Sequence, residues 1–151
     1  MGLAKAEDRV PYLLDFYPLQ GEEHTRIYPF FDHLREGRLT TTRCVACGEV
    51  LWQPRVVCPH CNGDEMEWID LPQEGEIFAF TSVRLGAPTG MEDDLPFVIG
   101  IVTLKGADLQ ILARIDGDEE SLRIGQPVRV AVDHLPDGRV WFRFRSAEAS
   151  A

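Results

Sequence analysis

Positive charge is what this chain has least of. Its 151 residues carry 15 lysines and arginines against 25 aspartates and glutamates, a formal net charge of −10. The deficit is even: residues 1–70 hold 7 basic and 12 acidic groups, and residues 71–151 hold 8 and 13. Nucleic-acid binding draws its affinity from cations placed on phosphates, so neither half reads as a general nucleic-acid domain. Long apolar runs are missing as well. No stretch approaches the ~18 residues of a membrane span, and the N-terminal MGLAKAEDRV lacks the hydrophobic centre of a signal peptide, which predicts a cytoplasmic protein. Catalytic signatures are absent too. No GxSxG elbow surrounds a serine, and no GxGxxG or phosphate loop occurs. His24, His33 and His134 stand singly and are expected as surface or helix-face groups. The runs Glu92-Asp93-Asp94 and Asp118-Glu119-Glu120 are expected as solvated loop edges, so no fixed acid–base pair can be named.

Cysteine is scarce, and all of it falls in one place. Cys44, Cys47, Cys58 and Cys61 form two CxxC pairs ten residues apart in TRCVACGEVLWQPRVVCPHCNG. Each pair turns two sulfurs inward from one tight knuckle, and two knuckles supply the four thiolates of a tetrahedral metal site. Gly48 and Gly63 follow the two pairs, where backbone freedom eases the turn. Zn(II) in a structural role is the expected occupant. Iron in a rubredoxin-like site uses the same ligands, which keeps an electron carrier as an alternative. Two disulfides are the third possibility, disfavoured in a reducing compartment. A closed four-sulfur shell leaves no open position for substrate, so the site should fold the segment. His60, inside the second knuckle, is expected to face solvent, and Trp52 and Trp68, which bracket the knuckles, are expected to pack the small ribbon.

The pattern divides the chain into four parts. Residues 1–37 form an arm and a helix. The apolar VPYLLDFYPLQ at 10–20 is broken by Pro11 and Pro18 and should run extended, with Tyr12, Leu13, Leu14, Phe16 and Tyr17 as candidate contacts for a partner chain. Ile27, Phe30, Phe31 and Leu34 then recur at helical spacing, with Gly37 as a stop. Residues 38–70 are the ribbon, with strands at 39–43 and 67–70. Residues 71–146 hold five strand patterns, at 76–84, 97–104, 109–115, 128–132 and 139–145. Hairpins are predicted at Lys105–Ala107 and Pro136–Gly138, a mobile loop at 85–96 and a small helix within 116–125. Five strands with a helix between the third and fourth fit the Greek-key barrel called the OB-fold. Residues 147–151 are left as a disordered tail.

One place gathers positive charge. On the last strand, alternation puts Val140, Phe142 and Phe144 on the core face and Arg139, Trp141, Arg143 and Arg145 on the other, where Arg129 of the neighbouring strand joins them. Guanidinium forks match phosphate oxygens, and an indole offers a stacking plane. Arg129, Trp141, Arg143 and Arg145 are therefore candidates to hold a nucleotide-bearing ligand such as coenzyme A. The plain alternative is a solvated face whose arginines pair with the abundant carboxylates.

The order of motifs carries a resemblance. An aromatic arm, a helix ending in LREGRL, then RCxxCG, Pro54-Arg55, CPxC and a Gly-Glu-Ile entry into a barrel together resemble the rubredoxin-like zinc-ribbon plus OB-fold family of acyl-CoA-associated proteins, long labelled a domain of unknown function. The resemblance runs from about Tyr12 to Arg145. It implies a protein with no active site of its own, associated with an enzyme acting on CoA thioesters, above all a thiolase, in a hetero-oligomer. It also implies that Cys44, Cys47, Cys58 and Cys61 are the metal ligands. The family's PPR element is represented by Pro54 and Arg55 only, since Gln53 replaces its first proline. From a different class, a zinc-ribbon/OB nucleic-acid module shares the fold but not the charge.

Overall fold

The computed structural model describes residues 15–149. Tyr12, Leu13 and Leu14 lie outside them. Of the arm, Phe16 to Pro18 run without regular structure, and a turn follows in which the His24 N–H donates to the Gly21 carbonyl. Helix α1 (Tyr28–Arg35) begins with Pro29 in its first turn, where a missing N–H costs nothing. It buries Phe30, Phe31 and Leu34, the periodic residues of the sequence. Gly37, at φ 79°, closes it in the left-handed conformation, and the Arg38 N–H returns to the His33 carbonyl at 2.9 Å.

The ribbon is a three-stranded antiparallel sheet in the order β2–β1–β3, with β1 at Thr40–Cys44, β2 at Val50–Leu51 and β3 at Met66–Asp70. Alternation would turn Thr41 outward, yet Thr40, Thr41 and Thr42 are all buried. Each hydroxyl has a partner. Thr40 Oγ1 meets His33 Nδ1 at 2.9 Å, Thr41 donates to the Leu51 carbonyl, and Thr42 accepts the Arg55 N–H at 2.8 Å. Burying a hydroxyl is tolerable only on these terms.

The remaining strands, β4 (Glu74–Val83), β5 (Phe97–Leu104), β6 (Gln110–Ile115), β7 (Pro127–His134) and β8 (Val140–Ser146), close into a barrel in the order β4–β5–β6–β8–β7. That is the OB topology. The β5–β6 and β7–β8 hairpins turn at Lys105–Ala107 and Pro136–Gly138, as expected. Closure is thin at one seam: β6 and β8 share a single paired position, Ile115 with Phe144. One hydrophobic core joins α1 to the barrel, with Trp52 and Trp68 of the ribbon packed against it. Phe30, Phe31 and Leu34 of α1 and Leu39 before the ribbon join Ile77, Val102, Ile111, Val128 and Phe144 of the barrel.

Three expectations are corrected here. No helix forms in 116–125. A turn takes its place, held by Ser121, whose N–H donates to Asp118 Oδ1 at 2.8 Å, and Leu122 is buried beneath it. The loop at 85–96 is not loose throughout, because it contains a 3-10 turn at Glu92–Asp94, buries Met91, and accepts the Phe16 N–H at the Thr89 carbonyl. Ala147–Ala149, assigned to the tail, forms a turn of 3-10 helix.

Candidate metal centre and the faces around it

The two knuckles are built on one plan. Cys44 and Cys58 each accept, at the carbonyl, an N–H from four residues on (Gly48 at 2.8 Å, Asn62 at 2.9 Å). Each donates its own N–H to the carbonyl five residues on (Glu49 at 2.9 Å, Gly63 at 2.8 Å). Gly48 (φ 77°) and Asn62 (φ 60°) are thus the equivalent left-handed positions, Asn being the side chain that best tolerates that region. Gly63 has a different duty from the one the sequence suggested. A Cβ there would lie 3.3 Å from Cys61 Sγ and 3.4 Å from Cys44 Sγ, so its value is the space it leaves beside the sulfurs.

The four Sγ atoms lie within 4.8 Å of one another, with Cys44–Cys61 at 3.5 Å and Cys47–Cys58 at 3.6 Å. A tetrahedron with metal–sulfur bonds of about 2.3 Å has edges of ~3.8 Å, so the arrangement fits a single ion. The electrostatics point the same way. The Cys47 backbone N–H leads in pulling the Cys44 thiol down to about 7. The Glu49 N–H favours a Cys47 thiolate too, but local loss of hydration and the three sulfurs around it outweigh that and push Cys47 up to about 12. Four adjacent thiolates need a cation among them. Cys44 and Cys58 are buried, Cys47 and Cys61 exposed, and His60 is exposed and outside the cluster.

Around this centre sit the aromatics. Trp52 meets Phe30 and Phe142 edge-on, and Trp68 stands edge-on to His33, so both pack as expected. Trp52, Phe30, Phe31, Ile27, Trp141 and Phe142 line an apolar cavity of about 470 Å³, with His24, Thr25 and Gln53 also in its wall. Sequence patterning gave no sign of this cavity, because its walls come from the arm, α1, the ribbon and β8.

The arginine face is sorted by the fold into engaged and free members. Arg139 is buried, 7% exposed, where its guanidinium holds Asp15, Asp137 and the Tyr17 carbonyl. It fastens the arm to the barrel. Gln20 does the same one turn of chain later: its amide donates to the Val140 carbonyl at 2.6 Å and accepts the Val140 N–H at 2.9 Å. Arg143 is held by Asp116 at 2.9 Å and Asp133 at 2.7 Å. Burial raises the Asp133 carboxyl above its ordinary value, the Arg143 charge opposing it and Asp116 adding to it. Trp141 is not a free plane, since it packs beside Phe31, Tyr17 and Phe142. Arg129 and Arg145 remain. They face each other directly across β7 and β8, and among the described residues neither forms an ion pair, although Glu74 stands opposite Arg129 on β4.

Fold and site together define a class: a four-cysteine zinc-ribbon domain joined to an OB barrel. Residues 31–67 match the ChsH2 rubredoxin-like zinc ribbon domain and residues 68–133 the ChsH2 C-terminal OB-fold domain. A DUF35 domain-containing scaffold protein of Methanocaldococcus jannaschii is 32% identical over 107 residues, which are 70% of this chain and 75% of that protein. The chain belongs to this DUF35 family of ChsH2-type zinc-ribbon and OB-fold proteins. The benzoylsuccinyl-CoA thiolase subunit BbsA of Thauera aromatica is 30% identical over 97 residues, 64% of this chain and 65% of that subunit. A chain of the Ltp2-ChsH2(DUF35) aldolase shares the fold, with a TM-score of 0.66 over 78% of this chain and 91% of that one at 22% identity. No helix among the described residues is long and apolar enough to cross a membrane.

Proposed function

We propose that this protein is a non-catalytic accessory subunit of a cytoplasmic thiolase-type enzyme acting on acyl-CoA thioesters, with zinc in its four-cysteine site. The observation that carries the reading is the kinship with a benzoylsuccinyl-CoA thiolase subunit over 64% of this chain. Carbon–carbon bond chemistry then belongs to the partner. Zinc ties the two knuckles into a fixed platform. The exposed Phe16 and half-buried Tyr17 of the arm, with Tyr12, Leu13 and Leu14 ahead of them, serve as contacts for the partner.

In this reading the phosphates of CoA lie on Arg129 and Arg145. Two like charges directly opposed on a sheet repel unless an anion joins them, which favours a phosphate between them. Arg143 is assigned no phosphate, because two carboxylates already neutralise it. Trp141 lies roughly 13 Å along β8 from Arg145, on the same side of the strand, so a CoA arm following the strand reaches the aromatic cavity that Trp141 lines. The nucleic-acid alternative is opposed by the charge of −10. An iron electron carrier is distinguished by visible absorbance, which zinc lacks.

The test is to recover partners of the chain from native extract and identify them by mass spectrometry. A thiolase-type subunit in defined stoichiometry is the expected result, and its consistent absence sinks the reading. With the complex in hand, replacing Arg129 and Arg145 together by alanine should weaken CoA-thioester binding by roughly 1–3 kcal/mol, less at higher salt, and leave assembly intact.

A further inference from the structure

Strand β5, FVIGIVTL, is apolar on both faces. Val98, Gly100, Val102 and Leu104 point into the barrel and are buried. Of the outward positions, Phe97, Ile99 and Ile101 are apolar as well and Thr103 at the end is polar, and register aligns them with outward residues of both neighbours. Ala79, Ile101 and Leu112 form one row across β4, β5 and β6, and Thr81, Ile99 and Arg114 form the next. An antiparallel strand facing water on one side alternates apolar and polar, whereas one that is apolar throughout is a strand covered on both sides. Here the outer cover is incomplete. Phe97 is shielded by Arg114, whose guanidinium lies 4.6 Å from the ring centroid, but Leu112 is 65% exposed and Phe16, on the opposite wall, 69%. Between the arm and the sheet lies a hollow of about 520 Å³ floored by Ile99, Leu112 and Ala113.

Carboxylates stand at both ends of this face. Glu76 and Thr103 share the row beyond Ala79, and Glu92, Asp93 and Asp94 form the 3-10 turn of the loop beside Met91. Only Asp94 of these four is engaged by a cation among the described residues, through Arg114 at 2.6 Å. An apolar floor between uncompensated carboxylates calls for an apolar surface flanked by cations.

We propose that the outer face of β4–β5–β6, together with Phe16, is the seat of the partner subunit, occupied by an apolar ridge flanked by lysine or arginine. The proposal rests on the thiolase-partner reading and names the surface that reading lacks. Phe16 then acts as one lip of the seat and not as a free-standing anchor. The loop at 85–96 forms the other lip, which accounts for a long connection being tied to the arm by the hydrogen bond from the Phe16 N–H to the Thr89 carbonyl.

The experiment measures binding of the full chain to the thiolase-type subunit recovered from native extract. Leu112→Arg, at a solvent-exposed site, should keep the thermal unfolding midpoint and weaken binding at least tenfold. Glu76→Lys with Asp93→Lys should weaken it severalfold at low salt, with the gap closing as salt rises. Wild-type affinity in Leu112→Arg would overturn the proposal and leave the accessory-subunit reading standing, since the wild type still binds. Recovery of no thiolase-type subunit would overturn both. Two further results would overturn the proposal alone: a homodimer of the free chain that Leu112→Arg dissociates, or increased binding of anilinonaphthalene sulfonate on deleting residues 1–14 that Leu112→Arg abolishes. The first would make a second copy the occupant, and the second the chain's own N-terminus.

Discussion

Arg139 gathers two carboxylates and a carbonyl, and through them fixes where the arm meets the barrel. Its hydrogen bonds hold the Asp15 carboxyl below the usual 3.8, against the opposing effect of burial and with help from the Tyr17 N–H. A carboxyl depressed in the folded state contributes stability that is fully present above its unfolded value. That contribution is lost as pH falls through the lower folded value. The gap in stability between wild type and Asp15→Asn should therefore be constant near neutrality and shrink below about pH 3.8. Thermal unfolding of both proteins between pH 6 and pH 3 reads it, and a gap independent of pH would contradict the account. Replacing Arg139 by leucine strands Asp15 and should cost about 2–3 kcal/mol. At the metal centre, Gly63→Ala places a methyl 3.3–3.4 Å from two sulfurs. Metal affinity, read by competition with a chromophoric chelator, should fall about tenfold, as for other groups that pack directly on ligands. Asn62→Gly should leave it unchanged, because both residues accept the left-handed turn.

Helix α1 is the element that makes ribbon and barrel one body. Phe30 and Phe31 contact each other edge-on, Phe30 also meets Trp52 and Phe142, and Leu34 is fully buried. On its other side His33 reaches both Thr40 and Trp68 of the ribbon. Leu34→Ala leaves a cavity at this joint and should cost about 2–5 kcal/mol in a denaturant titration. Gln73 reinforces the same joint after the ribbon: its amide oxygen accepts the Leu39 N–H at 3.3 Å, and its nitrogen donates to the Leu71 carbonyl at 2.7 Å.

At the scale of the molecule, a core shared by α1, the ribbon approach and the barrel predicts cooperative unfolding. The protein should carry one equivalent of zinc. Its removal withdraws a contribution on the order of 10 kcal/mol from a segment too small to hold itself together. Because that segment shares the core, chelation or any Cys→Ser change among Cys44, Cys47, Cys58 and Cys61 should lower one common transition. Differential scanning calorimetry with and without chelator checks this. Two well-separated transitions in the metal-bound protein would show that the ribbon and barrel unfold independently.

What the sequence determined by itself is whatever a short stretch of chain can fix. Two CxxC pairs bring their sulfurs together through local turns, so Cys44, Cys47, Cys58 and Cys61 were legible without the fold. So were the buried faces of α1 and β8 and the two barrel hairpins, because period and turn chemistry act over a few residues. Tertiary structure decided which of the outward arginines stay free. Arg139 and Arg143 lie on the face that alternation predicts, but Asp15, Asp116 and Asp133, distant in sequence or on another strand, engage them, while Arg129 and Arg145 form no ion pair among the described residues. It also decided that Gln20 and three consecutive threonines go inside, since a polar group is buried wherever a partner waits for it. Whether a partner waits depends on which elements meet, and no local pattern records that.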